Sequence, residues 1–318
     1  MSLFTSNFRS EAKVLFAVAA AALMCEAGLR AGRSGLSLDV QHIERIPSIL
    51  ASLHARPAGR RVLFLGNSLT RRGVDLALIR QPRSERNEPF GVFADTISPD
   101  DSTISDWYYL FRKYVSGGNA PDYVAIGFVS GQLEDSAPMH PDRIAAYFGG
   151  WEAASEVFTQ DVKDFGGRMD YALASTSELF SEKERLRIRL LAWLTPDYPA
   201  AAQRLNRATV KREKAGLAPS AATYRRLQRL LALCRTRRVQ PVLVAMPLPK
   251  TYALDPEVSR VASQAGADFV DLRHVDGLVA EDFLDGFHLA PSGASKYSRL
   301  LLEAIQPILA RKSTAGLR

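Results

Sequence analysis

The stretch Arg61-Val62-Leu63-Phe64-Leu65-Gly66-Asn67-Ser68-Leu69-Thr70 decides how the rest of the chain reads. Residues 61–66 form a nearly continuous apolar run, the pattern of a parallel strand buried on both faces. Gly66 permits a tight turn, and Ser68 opens a helical stretch over 68–80. A strand, a turn and a helix in that order lift the Ser68 hydroxyl out of the sheet. They also place the unpaired N–H groups of the helix start beside it, where they can stabilise an oxyanion. Serine is equally a favoured helix N-cap, so this block alone also fits a structural serine.

Outward from this block, further buried-strand patterns fall at 91–95, 123–128 (YVAIGF), 241–246 (PVLVAM) and 268–272. Helical patterns alternate with them at 105–115, 222–235, 256–265 and 292–309. Such alternation predicts an α/β three-layer sandwich of flavodoxin-like type, with a mostly parallel central sheet. In such sheets ligands and chemistry gather at the carboxyl ends of the strands. Residues 138–219 break the rhythm. They carry helical patterns at 151–162, 169–194 and 200–214 but no clear strand, and are expected to be a helical insertion between the third and fourth strands. Upstream, 34–60 is expected to be a linker with a short helix at 40–55, ending in the turn Arg56-Pro57-Ala58-Gly59. The α/β domain is then expected to run over 61–312.

The N-terminal segment, 1–33, contains an unbroken apolar run at 14–25 (VLFAVAAAALMC), preceded by Arg9 and Lys13 and followed by Glu26, Arg30 and Arg33. Twelve residues fit a signal-peptide core. With Lys13 and Glu26 snorkelling to the two interfaces, 12–29 also reaches across a bilayer. No good Ala-x-Ala site closes the run, and Ala22-Leu23-Met24-Cys25 is a poor lipobox. The reading that follows is an uncleaved membrane anchor with the α/β domain extracytoplasmic, secretion after cleavage being the alternative. Basic residues flank both ends, so the charge pattern does not set the orientation.

The net charge of +7 is concentrated between residues 181 and 240. That segment holds 15 Lys and Arg against four acids, so it carries +11 and the remainder −4. A local basic segment suits lipid headgroups or an acidic polymer; a solvated pair of Arg-rich helices explains it equally well. Nucleic acid is not an expected partner. The two cysteines, Cys25 and Cys234, suggest no disulfide, and without a CxxC spacing they make no zinc site. No Walker loop, GxGxxG fingerprint or HExxH is present, so no metal and no cofactor is expected.

The second informative block is Asp285-Gly286-Phe287-His288-Leu289-Ala290-Pro291-Ser292-Gly293, just before the last helical pattern. A carboxylate three residues from a histidine on one loop can fix the imidazole tautomer and stabilise the imidazolium. A serine hydroxyl needs such a base, being a weak nucleophile at its own pKa. A lone loop histidine is more often structural; two such blocks at opposite ends of an α/β domain are far less often coincidental.

Together the two blocks resemble the SGNH (GDSL-type) hydrolase superfamily, and with the N-terminal apolar run the chain resembles more narrowly its membrane-anchored branch associated with envelope polysaccharide and exopolysaccharide. The resemblance implies that Ser68 matches the nucleophile, Asp285 the acid and His288 the base. Asn67 stands where the name-giving motif has Asp. It also implies an SGNH fold and a serine esterase or O-acyltransferase acting on an acylated saccharide. The family places further oxyanion donors on a glycine after the second strand and an asparagine after the third. Here residues 94–102 (ADTISPDDS) contain no glycine and 127–132 (GFVSGQ) no asparagine. Ser130 and Gln132 stand as substitutes beside the Ser68 amide. The missing motifs equally suit a catalytically impaired module that binds glycan or a partner in an envelope assembly. An esterase acting on lipid is a third reading.

Asn67, Arg71 and Trp107 are candidate substrate-binding residues: Arg71, with Arg72, for an anionic group, and Trp107, with Tyr108 and Tyr109, for a sugar face. Packing explains the aromatics as readily. His140 and His274 have no evident nucleophile partner in the sequence.

Overall fold

The computed structural model describes residues 8–56, 59–81, 90–195, 197 and 222–311. Its strands are β1 (Arg60–Leu65), β2 (Val92–Ile97), β3 (Tyr123–Phe128), β4 (Gln240–Ala245) and β5 (Asp268–Asp271). The main helices are α1 (Phe8–Gly32), α2 (Leu38–Glu44), α3 (Ile46–His54), α4 (Ser68–Gly73), α5 (Leu76–Ile79), α6 (Ile104–Tyr114), α7 (Ala154–Gln160), α8 (Phe165–Ala174), α9 (Glu178–Ser181), α10 (Lys183–Leu194), α11 (Arg225–Thr236), α12 (Pro256–Gln264) and α13 (Pro291–Ala310). The chain divides into two compact units. One comprises residues 1–41, 141–146 and 150–217, and the other residues 42–140, 147–149 and 218–318.

The larger unit is the expected α/β fold. Its five strands lie in the order β2-β1-β3-β4-β5 with every neighbouring pair parallel. Side chains alternate across such a sheet, and both faces are buried, which is why β3 reads as six consecutive buried residues. Val62, Phe64, Ala125, Val242 and Val244 belong to one core cluster with Leu69 of α4, Ile79 of α5 and Leu301, Leu302 and Ile305 of α13. Leu63, Val124, Ile126 and Leu243 point to the opposite face and are fully buried there. Helices on both sides complete the three layers.

The helical stretch expected at 68–80 is two helices, broken at Val74-Asp75. Asp75 caps α5 by accepting from the Leu78 N–H (3.1 Å). The helix expected at 40–55 also divides in two, because Pro47 lacks an N–H and takes the first turn of α3. Glycine at positions 66 and 127 is a matter of close approach. A Cβ on Gly66 would meet Thr70 Oγ1 at 2.0 Å and its Cβ at 2.7 Å; one on Gly127 would meet the same oxygen at 2.5 Å and Met246 Sδ at 2.8 Å. Thr70 is thereby wedged between the carboxyl ends of β1 and β3.

The smaller unit contains α1 and α7 to α10, and its described part contains no strand. The single helix expected over 169–194 is three helices, because Ser177 caps a new one at Phe180 N–H (3.2 Å). The helix expected at 200–214 lies outside the described residues. At about 1.5 Å per residue, the 25 residues of α1 reach about 38 Å. Within the described residues this is one helix long and apolar enough to cross a membrane, and none of that window is buried.

The basic segment is split between the units. Lys183, Arg185, Arg187 and Arg189 lie on α10, while Arg225 to Arg238 belong to the α/β unit. There Arg226 is buried, stacked over Tyr108 and Tyr109 at 4.5 and 5.0 Å. The remaining cations, Arg204 to Lys214, lie outside the described residues.

Gly66→Ala is expected to destabilise the α/β unit by on the order of 1–3 kcal/mol, the ordinary cost of overpacking. Thermal unfolding checks this, at roughly 2–4 °C of melting temperature per kcal/mol for a unit of this size; an unchanged midpoint would contradict the close approach.

Candidate active site

β1 ends at Leu65, and Gly66 and Asn67 turn the chain into α4. Asn67, not Ser68, is the N-cap: its Oδ1 accepts from the Leu69 N–H (3.0 Å), and its Nδ2 donates to the Ser102 carbonyl (3.2 Å). Because Asn67 does the capping, the Ser68 hydroxyl is left for another partner. That partner is His288, whose Nε2 lies 2.9 Å from Ser68 Oγ. Ser68 occupies the first position of α4, where its N–H has no intrahelical acceptor.

Residues 283–289 form a small hairpin. Phe283 and Leu289 make an antiparallel bridge, the Leu284 N–H donates to the His288 carbonyl (2.9 Å), and Gly286 turns the tip with φ 73°. Inside it, Asp285 Oδ1 accepts from the Phe287 and His288 N–H groups (3.1 and 2.8 Å). Asp285 Oδ2 lies 2.8 Å from His288 Nδ1. Ser68, His288 and Asp285 therefore stand in series, with Nδ1 held toward the carboxylate and Nε2 toward the hydroxyl. With Nδ1 as the donor to Asp285, Nε2 carries the free lone pair toward Ser68, the tautomer a general base requires. Partial burial raises the Asp285 pKa, but the hydrogen bonds from the His288 amide and ring and from the Phe287 amide outweigh it and hold it at about 2.

The hairpin is itself anchored. The Ala290 N–H donates to the Asp282 carbonyl (2.7 Å). The Asp282 carboxylate takes Ser292 Oγ (2.8 Å), Lys296 Nζ (2.8 Å) and the Val279 N–H (3.1 Å). A Cβ on Gly293 would strike the Asp282 carbonyl at 2.7 Å, so the helix start presses directly against this loop.

Two expected substrate contacts, Trp107 and Asn67, are corrected, and the third, Arg71, has a protein partner. Trp107 is fully buried, and its Nε1 donates to the Gly66 carbonyl (2.9 Å) and to Ser102 Oγ (2.8 Å). It pins the turn that carries Ser68 and has no face open to a sugar. Asn67 is buried, with both ends of its amide engaged as above. The Arg71 guanidinium pairs with the Asp100 carboxylate and donates to the Ser98 carbonyl (3.2 Å). That pairing holds the loop after β2.

The expected oxyanion substitutes are more distant in role. The Gln132 side chain turns back to accept from the Val129 N–H (2.9 Å), closing its own 3-10 turn. Ser130 has φ 45° and is exposed. Neither makes a hydrogen bond to Ser68 or His288. After β2, where a glycine amide was absent from the sequence, the Ser98 N–H is taken by His42 Nε2 (2.9 Å). His140 does have a carboxylate partner, the buried Asp106 (3.1 Å).

Sequence reasoning missed Ser102 and Phe287. Ser102 is fully buried and bonds the Gly66 and Pro99 carbonyls (2.9 and 2.8 Å); only the polar cluster Ser98 to Thr103 hinted at it. Phe287 is 43% exposed and meets the His288 ring edge to face at 5.5 Å. An exposed aromatic inside the Asp285–His288 block was the available signal.

No family model matches the chain, and no curated protein matches it. Among solved structures, it is similar to Axe2, an acetylxylan esterase from Geobacillus stearothermophilus, at 13% identity over 79% of this chain and 94% of that one, with a TM-score of 0.38. A catalytic mutant of the same enzyme matches at 12% identity over 81% and 97%, with a TM-score of 0.39. LAE5, an alpha/beta hydrolase enzyme from the metagenome of Lake Arreo, Spain, matches at 13% identity over 81% and 99%, with a TM-score of 0.37.

A depressed carboxylate pKa makes a directional prediction. Ionised Asp285 contributes stability in full above its unfolded value of 3.8, and that contribution is lost as pH falls toward about 2. Asp285→Asn should therefore flatten the decline of melting temperature across that window; parallel curves for the two proteins would contradict it.

Proposed function

We propose that the protein is a serine esterase or O-acyltransferase acting on acylated carbohydrate of the cell envelope or an exopolysaccharide. The single observation that carries this reading is the unbroken series from hydroxyl to imidazole to carboxylate across Ser68, His288 and Asp285 (2.9 and 2.8 Å).

In this reading Ser68 Oγ attacks the acyl carbonyl carbon as His288 Nε2 removes its proton. Asp285, still ionised at neutral pH, stabilises the imidazolium and holds its tautomer. The tetrahedral oxyanion is met by the Ser68 N–H. Collapse expels the sugar oxygen, which takes the proton back from His288 and leaves acyl-Ser68. Water, or a second sugar hydroxyl deprotonated by the same His288, then attacks the acyl carbon and releases Ser68 Oγ. Water gives an esterase, a sugar hydroxyl a transferase. Phe287, exposed beside the imidazole, supplies a face for the sugar ring. Ser130 and Gln132 are proposed as secondary donors, Gln132 only after its side chain leaves the Val129 N–H.

The N-terminal helix supports a membrane setting; the proposal places the α/β unit on the extracytoplasmic side. Glu26, just past the apolar run, accepts hydrogen bonds from Ser177 Oγ and from the Glu178 and Leu179 N–H groups (2.9, 2.7 and 3.0 Å). That docking favours a retained anchor, because cleavage beyond Glu26 would uncap α9.

A second reading, a binding module with little or no turnover, is favoured by the occupied Ser98 amide and the folded-back Gln132. Each absent oxyanion donor costs about 100- to 1000-fold in rate.

Labelling by a fluorophosphonate and turnover of p-nitrophenyl acetate separate the two. The proposed enzyme is labelled at Ser68, and Ser68→Ala and His288→Ala each lower kcat by on the order of 10⁴-fold or more. Absence of both labelling and turnover in the parent, with glycan binding retained in Ser68→Ala, would leave the module reading standing.

A further inference from the structure

Helix α10 has no buried residue, yet seven of the twelve residues in its sequence, Lys183-Glu184-Arg185-Leu186-Arg187-Ile188-Arg189-Leu190-Leu191-Ala192-Trp193-Leu194, are apolar. Ile188, Leu190, Trp193 and Leu194 are 49, 54, 79 and 60% exposed. A twelve-residue helix gains most of its stability from packing an apolar face, and alone in water it is marginal. On α8 of the same unit, Phe165, Met169 and Leu173 recur every four residues and are also exposed. Patches of this kind mark a surface with a partner.

Between α9 and α10 lies an open cavity of about 640 Å³, lined chiefly by Leu179, Phe180, Leu186 and Leu190, with Lys183 and Arg187. Lys183, Leu186, Arg187 and Leu190 fall on one face of α10, three and four residues apart, so apolar wall and cations alternate along it.

We propose that this cavity holds an acyl chain of an anionic phospholipid, with α10 lying in the membrane interface beside the anchor. The inference rests on the anchor reading given above. Continuity identifies the occupant. Glu26 of α1 receives the Ser177, Glu178 and Leu179 groups that begin α9, and Arg33 pairs with Glu178 (2.6 Å). The cavity therefore opens where the apolar run of α1 ends at Cys25, the depth at which lipid headgroups meet acyl chains. The chemistry agrees. Residues 182–189 carry four cations against Glu182 and Glu184; Lys183 and Arg187 stand in exposed pairs with Asp170 (3.2 Å) and Glu184 (2.6 Å), which a headgroup phosphate can displace because such surface pairs are weak. Lys and Arg can lay their stems along apolar surface with their charges at headgroup level, and Trp193 is the residue type enriched at that boundary.

The test uses the full chain reconstituted in vesicles of phosphatidylcholine, with or without phosphatidylglycerol. Nitroxide labels are placed singly at Leu15→Cys on α1, Leu190→Cys on α10 and Ser259→Cys on α12, in a Cys25→Ser background. Collisions with dissolved oxygen and with a water-soluble nickel chelate report the surroundings of each. The expected result is an oxygen-favoured label at 190, as at 15, with 259 nickel-favoured. Lys183→Gln with Arg187→Gln should also lower the phosphatidylglycerol retained per chain after gentle detergent extraction, on the order of thirtyfold for two interfacial charges.

A nickel-favoured label at 190 with an oxygen-favoured label at 15 would overturn the inference and leave the anchor standing. Nickel-favoured labels at all three sites would overturn both. Shielding of the 190 label from both reagents would mean a protein occupant, a second copy or another chain, and would overturn it too. Unchanged phosphatidylglycerol retention in the double variant would remove the anionic lipid.

Discussion

The candidate site depends on one packing contact, that of α4 and α5 against α13. Ser68 and His288 are 220 positions apart, and nothing local brings them together. The join is made by buried groups on the last helix. Ser298 Oγ accepts from the Asp75 N–H (2.7 Å) and lies 3.2 Å from the Gly73 carbonyl, and Ser295 Oγ donates to Asp75 Oδ2 (2.9 Å). Around these bonds, Leu69, Val74, Leu289 and Tyr297 belong to the cluster shared with the sheet. Gly73 leaves room for Met246 and Leu289, since a Cβ there would meet Met246 Cε at 2.8 Å. Buried polar groups that are satisfied in this way fix one register, because any other would leave them unpaired at a cost of about 1–3 kcal/mol each.

A second consequence concerns which polar groups remain available. Around the Ser68 turn, side chains of ordinary binding chemistry are already committed. Asn67 caps α4, Ser102 and Trp107 hold the Gly66 carbonyl, and Arg71 holds the loop after β2. Among these groups the Ser68 hydroxyl is the one turned toward an imidazole. A nucleophile gains from such support, because a hydroxyl held by rigid neighbours needs little reorganisation when it reacts. The same commitment makes the loop after β2 a structural support, and the oxyanion partners of the proposed reaction must come chiefly from the start of α4.

The smaller unit follows a different logic. Its helices are held by side chains closing helix ends: Glu26 at the start of α9, Asp164 accepting from the Gly167 N–H (2.7 Å) at α8, and Arg185 reaching both Asp39 and Glu182 (3.0 and 2.7 Å). It leaves Phe165, Met169, Ile188, Leu190, Trp193 and Leu194 exposed. A polar framework with an unpaired apolar exterior suits a layer whose solvent is not entirely water, and that sets its chemistry apart from the closed core of the α/β unit.

The strands were legible in the sequence because a parallel strand buried on both faces is apolar throughout, and residues 61–66, 123–128 and 241–246 are runs too short for a typical buried helix and rich in β-branched and aromatic residues. The Asp285–His288 spacing was legible for a similar reason: their contact is local, made within a hairpin of seven residues turned by Gly286. Helix breaks at Val74-Asp75 and near Ser177 were not, since a cap competes with helix continuation on energies smaller than those of packing. The roles of Asn67, Arg71 and Trp107 were beyond the sequence altogether. Each is decided by a carbonyl or carboxylate that lies 27 to 41 positions away in the chain. A side chain's chemistry names the partners it can take, and only the fold determines which of them lies within 3 Å.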